Sequence, residues 1–209
     1  MQISDVKIEN LFAVIDWCIK NSFPEDYDAR CLYSACAIHA ILISKGVKAV
    51  IVGGNMGAFT LSADGRKALL EGFSGGDMVQ PSHYWVEANG VILDPCVSYL
   101  PRRSRICAVS MPMVAWSKNV ALPNYLQYVE KIRYAEEVGF IFPDDIGIRV
   151  QEFIEYCQKQ YSSKTVKKKF ATWLLSNPNE LNNAARLGDR WAKGAIRFQS
   201  MNSVPTIPS

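Results

Sequence analysis

The run from Cys31 to Ser44, CLYSACAIHAILIS, constrains the fold of this chain more than any other segment. It contains no Gly, no Pro and no charged Asp, Glu, Lys or Arg. Apolar or small residues therefore face nearly every side, which is typical of a helix buried all round. Gly46 follows after one intervening residue, where a left-handed C-cap is needed. The sequence predicts a central core helix with Cys31 in its first turn.

A second strong signal is the stretch from His83 to Pro95, in which HYWVEA and VILDP flank Asn89-Gly90. Asn-Gly favours the two-residue type I′ turn of a β-hairpin. With that turn, Ala88 pairs with Val91, and His83 and Asp94 become diagonal neighbours on one face. Such neighbours lie about 7–8 Å apart at the backbone, which is within side-chain reach.

The other segments of the chain carry weaker signals of secondary structure. Helical spacing predicts a first helix over 8–20, and β-branched residues predict a strand over 47–52. The Gly-rich stretch 53–82 is an insert that could serve as a substrate loop or lid, with a strand or helix turn near 68–70. Further helices are predicted over 124–138, 146–161, 163–175 and 178–198. We expect a catalytic core over 1–122, a helical extension packed on it over 123–200, and a disordered tail over 201–209.

Composition limits the classes of partner. The 209 residues are 49% hydrophobic and 21% charged with a net charge of +3, as expected of a soluble globular protein. The cluster of Lys164, Lys167, Lys168 and Lys169 reads as a solvated helix face, so no nucleic-acid partner is expected. No apolar run is long enough to span a membrane, and no export signal is visible. We therefore expect a cytoplasmic protein whose cysteines are thiols.

Three residues have the properties of a thiol catalytic site. A nucleophilic thiol needs conditions that favour the thiolate, a base, and a group that orients the base. Cys31 at a helix N-terminus gains from the helix dipole. Only two histidines exist, His39 and His83, and the hairpin brings His83 near Asp94. We predict Cys31 as nucleophile, His83 as base and Asp94 as its orienting group.

Residues 30 to 95 resemble the transglutaminase-like, papain-like superfamily of cysteine enzymes. RCLYSACAIHAILISKGV resembles the helix that opens with the catalytic Cys, and HYWVEANGVILDP resembles the H-x-W-V-E…D-P stretch carrying the catalytic His and Asp. The closest likeness is to the leader peptidases of lasso-peptide biosynthesis. The resemblance implies an α+β fold in which the Cys helix packs on an antiparallel sheet bearing His and Asp. It assigns the same roles to Cys31, His83 and Asp94.

Several other residues are candidates for contact with the substrate or the oxyanion. The backbone N–H of Cys31 is the first candidate oxyanion donor, because helix N-termini suit developing negative charge, and Tyr27 is the second. Tyr84 and Trp85 either contact substrate or pack in the core. Zinc ligation is disfavoured because Cys31 and Cys36 lie about 140° apart around the helix. We expect no metal or cofactor. Cys36 and His39 are predicted to be core side chains of the helix, and Glu87 is predicted to be a solvent-facing residue of the hairpin.

The expected function is acyl transfer at an amide bond of a peptide, a protein or a small amide. Hydrolysis and transfer to an amine share the first half of that reaction, so both remain open, as does the oligomeric state. A function of another class is a non-catalytic binding or assembly module on the same fold, with the C-terminal helices as partner surface.

Overall fold

The computed structural model describes residues 3–73, 80–134, 144–163 and 168–200, apart from the side chains of Ser4 and Asp144. These residues form an α+β fold in which helices cover a single mixed sheet. The helices are α1 (Ile8–Ser22), α2 (Cys31–Ser44), α3 (Leu100–Arg103), α4 (Asp144–Ser162), α5 (Pro178–Arg186) and α6 (Arg190–Gln199). The strands are β1 (Ala49–Leu61), β2 (Ala68–Phe73), β3 (His83–Ala88), β4 (Val91–Asp94), β5 (Met113–Ser117), β6 (Leu126–Arg133) and β7 (Leu174–Leu175).

The two strongest sequence predictions are confirmed. Helix α2 begins at Cys31 and ends at Ser44, and Gly46 has the left-handed φ of +71° expected at its C-terminal end. The hairpin of β3 and β4 turns at Asn89-Gly90, with Ala88 opposite Val91 and Val86 opposite Leu93. The turn is stable in this form because Asn89 and Gly90 both adopt positive φ.

The sheet curls around its long strand β1. The first half of β1 pairs with β3 and its second half with β2, while β6 pairs along the other edge. Beyond β3 the order continues through β4, β5 and β7. All pairs are antiparallel except β5 with β7, so the expected wholly antiparallel sheet is corrected to a mixed one.

Helices pack on both faces of this sheet. Successive residues of β5 point to opposite faces. Met113 and Ala115 join the core formed with α1, α2 and α4, whereas Val114 and Trp116 join the core formed with α5 and α6. The charge-free α2 is covered on one side by the sheet and on the other by α1 and α4. Burial of an unpaired charge is costly, which accounts for the absence of charged residues from the enclosed part of α2; Ile43 and Ser44 at its C-terminal end are exposed.

The expected insert over 53–82 is largely sheet. Strand β1 continues through Gly53 and Gly54 as far as Leu61, and β2 returns antiparallel to it. Residues 74–79 of the expected loop lie outside the described residues. Gly54 stands in the strand for a steric reason: a Cβ there would lie 2.0 Å from the carbonyl oxygen of Val129 in β6. These glycines therefore permit close strand approach and do not mark a loop.

Three predicted helices in the C-terminal part are wrong in whole or in part. The region 124–138 contains strand β6, which pairs with β1, and its residues 135–138 lie outside the described residues. Within 163–175 none of the described residues is helical, and Leu174–Leu175 is strand β7. The region 178–198 is two helices, broken where Gly188 adopts a φ of +98°. The helix predicted over 146–161 is confirmed as α4.

Three charged features also differ from expectation. Glu87 is not simply solvent-facing, since its side chain is 11% exposed and bonds Lys118 and Arg133. Lys168 and Lys169 lie outside any helix, while Lys164, Lys167 and the tail 201–209 lie outside the described residues. None of the described helices combines the length and the apolar character needed to cross a membrane.

Candidate active site

Chain topology brings the starts of α2 and β3 to one end of the sheet. The connection from α2 to β1 is short, so α2 runs back along the sheet, antiparallel to β1 and parallel to β3, against which it packs. Cys31 and His83, each the first residue of its element, consequently lie at the same end. Strand β4 runs antiparallel to β3 and ends there with Asp94.

His83 and Asp94 form a buried hydrogen-bonded pair. The distance from His83 Nε2 to Asp94 Oδ2 is 2.6 Å, and the two side chains are 0% and 1% exposed. Asp94 is itself held by two further donors: the backbone N–H of Cys96 bonds Oδ1 at 2.9 Å, and the Tyr128 hydroxyl bonds Oδ2 at 2.9 Å. The carboxylate is thus fixed before it orients the imidazole.

Two aromatic rings lie nearly parallel to the His83 side chain. The Phe73 ring stacks on the imidazole with centroids 4.8 Å apart and an interplanar angle of 9°. Trp85 lies at 6.3 Å with an angle of 21°, and it packs in turn on Tyr128 at 5.0 Å. Rotation of the imidazole would disrupt these contacts, so His83 is held in one orientation.

The second ring nitrogen of His83 is available to Cys31. No hydrogen bond of normal geometry reaches His83 Nδ1 from the described residues. Burial alone lowers the pKa of His83, but the charge and hydrogen bond of Asp94, with smaller contributions from hydrogen bonding and charge at Cys31, outweigh burial. They raise the pKa of His83 to about 10, which favours the protonated imidazole beside the sulfur.

The start of α2 lacks a side-chain cap. Arg30 precedes the helix and makes no capping hydrogen bond. Its guanidinium instead bonds Asp26 and lies 4.7 Å from the centroid of the Phe23 ring. The first N–H groups of a helix have no intrahelical acceptor. They are therefore positioned to favour negative charge on Cys31 or on an atom bound beside it.

Cys31 differs from the thiols around it in exposure. It is partly exposed, whereas Cys36 and Cys96 are buried. Burial and the nearby Cys31 charge raise the pKa of Cys36 to about 12, and burial with the Asp94 charge raises that of Cys96 well above the ordinary value. A buried thiol with a raised pKa is unreactive, so Cys31 is the accessible sulfur of this site.

The three candidate contact residues occupy different places. Tyr84 is half-buried near Cys31, and burial, Tyr134 and the Cys31 charge raise its pKa. Trp85 is 2% exposed, so it supports His83 from the core instead of facing the solvent. Tyr27 packs at 5.1 Å on Tyr99 and beneath Arg102. Tyr84 interacts electrostatically with Cys31.

Asp28 lies close before α2 in the sequence but does not cap it. It lies in the single helical turn Tyr27–Ala29 and forms ion pairs with Arg102 and Arg103 at 3.2 and 2.5 Å. It therefore ties the segment before Cys31 to α3, which follows closely after Asp94 in the chain. These ion pairs hold the segment before Cys31 against the segment after Asp94.

Sequence reasoning missed Phe73 and Tyr128, which complete the surroundings of His83 and Asp94. Tyr128 comes from a strand in a region that was predicted to be helical, and Phe73 comes from a strand that the sequence left open between a strand and a helix turn. A local signal did exist for the Cys96 N–H bond. An Asp followed by Pro is typical of a helix N-cap, and Asp94 caps the turn Pro95–Tyr99.

The raised pKa of His83 predicts a pH-dependent contribution to stability. A group with a raised folded-state pKa stabilises fully below its unfolded value of 6.5, and that stabilisation is lost as the pH rises through about 10. We expect the free energy of unfolding of the wild type to exceed that of His83→Gln most at low pH. Urea titrations at about pH 6, 8 and 10 would measure this difference. A difference that stays constant or widens with pH would contradict the prediction.

The close contact at Gly54 predicts that Gly54→Ala destabilises the fold. Gly54 pairs with His83, and its missing Cβ leaves room for the backbone of β6. The substitution must displace β6, so we expect a loss of about 2–3 kcal/mol in unfolding free energy. Gly65→Ala is the control, because Gly65 has open space and a φ of +73°. It should cost only the conformational strain of about 1–2 kcal/mol, and a larger effect than that of Gly54→Ala would refute the steric account.

No set of three or more His, Cys, Asp or Glu side chains in the described ranges is arranged to hold a metal ion. Cys36, on α2, and Cys96 belong to the buried core. His39, also on α2, is partly exposed and interacts with a neighbouring residue. His83 and Tyr84 are polar side chains that interact with Cys31.

Comparison with known proteins adds one structural likeness. No protein-family model matches the chain, and no curated protein matches it. A crystal structure of a genomics target is similar at 18% sequence identity and a TM-score of 0.48, covering 81% of this chain and 84% of that chain. The chemistry of the site therefore rests on the residues of this chain themselves.

Proposed function

We propose that this chain is a thiol-dependent acyl-transfer enzyme that acts on amide bonds, with a papain-like or transglutaminase-like core. Cys31 is the nucleophile, His83 the general acid and base, and Asp94 the group that orients His83. One observation carries the proposal: Asp94 holds His83 Nε2 at 2.6 Å, which leaves Nδ1 for the partly exposed Cys31. Such an arrangement of thiol, imidazole and carboxylate fits nucleophilic catalysis.

The first half of the reaction forms an acyl-enzyme. Transfer of the Cys31 proton to His83 Nδ1 gives the thiolate and imidazolium pair that the raised pKa of His83 favours. The sulfur of this pair then attacks the carbonyl carbon to form a C–S bond. The negative charge that develops on the carbonyl oxygen is stabilised by the first backbone N–H groups of α2, which lack a side-chain cap. The C–N bond then breaks, and His83 gives its proton to the departing amine.

The second half resolves the thioester. Water or an amine gives a proton to His83 and attacks the thioester carbonyl, the C–S bond breaks, and the proton returns to Cys31. Water makes the chain a peptidase or deamidase, and an amine makes it a transferase. Tyr84 lies close enough to Cys31 for their charges to interact, which makes it the candidate side chain for contact with a peptide, protein or small amide substrate.

A thiol that must stay reduced also fits the proposed cytoplasmic location. All six cysteines are free, including the exposed Cys107. Cys107 would react with alkylating reagents as an ordinary surface thiol. Experiments on Cys31 are therefore best made in a Cys107→Ser background, in which the other four cysteines are buried.

Alkylation kinetics test the proposal. In the Cys107→Ser protein near neutral pH, iodoacetamide should modify Cys31 selectively and faster than a free thiol, because an adjacent imidazolium favours the thiolate. His83→Ala should slow this reaction at least about 10-fold. The matched control is Tyr134→Phe, which changes a hydroxyl beside Tyr84 and leaves His83 and Asp94 intact. Peptide mapping by mass spectrometry identifies the modified residue.

Slow and uniform alkylation, unaffected by His83→Ala, would refute the catalytic proposal. It would favour instead the non-catalytic binding or assembly module. If Cys31 does react selectively, profiling with a library of thiol-reactive acyl compounds would define the acyl group accepted. Cys31→Ala in the same background is the control for that experiment.

A further inference from the structure

A cavity lies on the face of the sheet opposite α2, where α6 crosses the end of β1 and the start of β2. We name it the α6 pocket. Its volume is about 440 Å³, and its apolar wall includes Phe59, Leu61 and Phe198. This volume is typical of sites for small organic ligands. None of the residues that line it belongs to the Cys31 site.

Helix α6 is anchored firmly against this wall. Trp191 Nε1 donates a hydrogen bond of 2.7 Å to the carbonyl oxygen of Phe59. A Cβ on Gly194 would lie 2.9 Å from both Leu61 Cδ2 and Phe59 Cε1, so only glycine permits this approach without displacing them. The Phe59 and Phe198 rings pack with centroids 4.8 Å apart. The pocket is therefore preformed by packed elements.

Three cationic side chains of α6 surround the apolar wall. Arg190, Lys193 and Arg197 line the pocket, and all three are exposed. Their spacing places them along one face of the helix. Arg190 bonds the backbone carbonyl of Ala63, and none of the three forms an ion pair with a carboxylate in the described part of the chain.

We propose that the α6 pocket binds a small carboxylate with an apolar body, such as a medium-chain acyl or aryl carboxylate. The carboxylate would lie between Lys193 and Arg197, where charge-assisted hydrogen bonds are strong. The apolar body would cover Phe59, Leu61 and Phe198. A neutral or cationic ligand of the same shape lacks the first of these interactions, so the pocket selects for the anion.

Calorimetry with octanoate tests this inference on the full chain. We expect a dissociation constant at or below about 1 mM, and octanol and octylamine should each bind at least about 10-fold more weakly. Raising the salt concentration from about 0.05 to about 0.5 M should weaken octanoate binding, because exposed charges are screened. Cys31→Ser should bind octanoate as the wild type does, which separates this site from the proposed catalysis.

Charge-reversal variants locate the site. Lys193→Glu/Arg197→Glu should weaken octanoate binding at least about 10-fold, and the single Lys193→Gln at least about 3-fold. The control is Arg149→Glu/Lys159→Glu, which makes the same change in net charge on the exposed face of α4. Equal loss in that control, or equal affinity for octanol and octanoate, would overturn the proposal. Binding of anionic vesicles without binding of octanoate would overturn it in favour of a lipid surface.

Discussion

Asp94→Asn should slow Cys31-dependent amide turnover by about 1,000- to 10,000-fold while the chain still folds. The backbone N–H of Cys96 bonds Asp94 Oδ1 at 2.9 Å, so an asparagine there keeps its carbonyl oxygen toward Cys96. Its amide then faces His83 Nε2 as a donor. The neutral imidazole must accept at Nε2 and carry its proton on Nδ1, which leaves it unable to take the proton of Cys31.

The measurement is the rate of Cys31 acylation by an activated amide or acyl compound that labels the wild type, followed by mass spectrometry. Far-ultraviolet circular dichroism and thermal unfolding would show that the variant is folded. Tyr128→Phe is the matched control, because it removes another hydrogen bond to Asp94 Oδ2 and leaves the carboxylate. It should slow acylation far less, by about 10- to 100-fold, since one hydrogen bond to a charged group contributes about 1.5–3 kcal/mol. An Asp94→Asn rate within about threefold of the wild type would exclude the assigned role of Asp94.

Trp191→Ala should remove about 3–5 kcal/mol from the free energy of unfolding. The Trp191 side chain is 1% exposed and lies within 6.2 Å, centroid to centroid, of Phe59, Tyr125 and Trp173. Truncation leaves a cavity among these rings and removes the hydrogen bond to the Phe59 carbonyl. Because Phe59 belongs to β1, the loss affects the central strand as well as α6.

Equilibrium unfolding in guanidinium chloride would measure this loss. The m-value, which is the slope of the unfolding free energy against denaturant concentration, should stay unchanged. Trp191→Phe is the control, since it retains most of the ring packing and loses the indole N–H. We expect it to lose about 1–2 kcal/mol, clearly less than the alanine variant. A loss below about 1 kcal/mol for Trp191→Ala would mean that α6 contributes little to the stability of the sheet.

These two residues belong to parts of the chain that were predicted with different success. Asp94 was placed beside His83 by reasoning from the Asn-Gly turn, and the register of the hairpin agrees with that reasoning. For Trp191 the sequence predicted only a position within a long helix over 178–198, and it indicated no residue that packs against the indole. Its contacts come from β1 and from residues 125 and 173, which no local pattern relates to α6.

Strand β6 shows why local patterns were insufficient in the C-terminal part. Its sequence LQYVEKIR lies in the region 124–138 that was predicted to be helical. In the structure, β6 pairs with β1, the Tyr128 hydroxyl bonds Asp94, and Arg133 forms ion pairs with Glu130 and Glu87. The preference of such a segment for strand is decided by its neighbours more than by its own residues.

Two features were set by the sequence alone, the buried α2 with Cys31 at its start and the hairpin that joins His83 to Asp94. Both follow from interactions between residues close together in the chain, namely helical periodicity and the geometry of one turn. The tertiary structure alone decided the rest of the site: the ring of Phe73 on His83, the Tyr128 hydroxyl on Asp94 and the ion pairs of Asp28 with α3. The last two join residues distant in sequence, and Phe73 reaches His83 only because β2 and β3 both pair with β1. These contacts depend on which strands pair in the sheet, and pairing energies across the whole fold determine that.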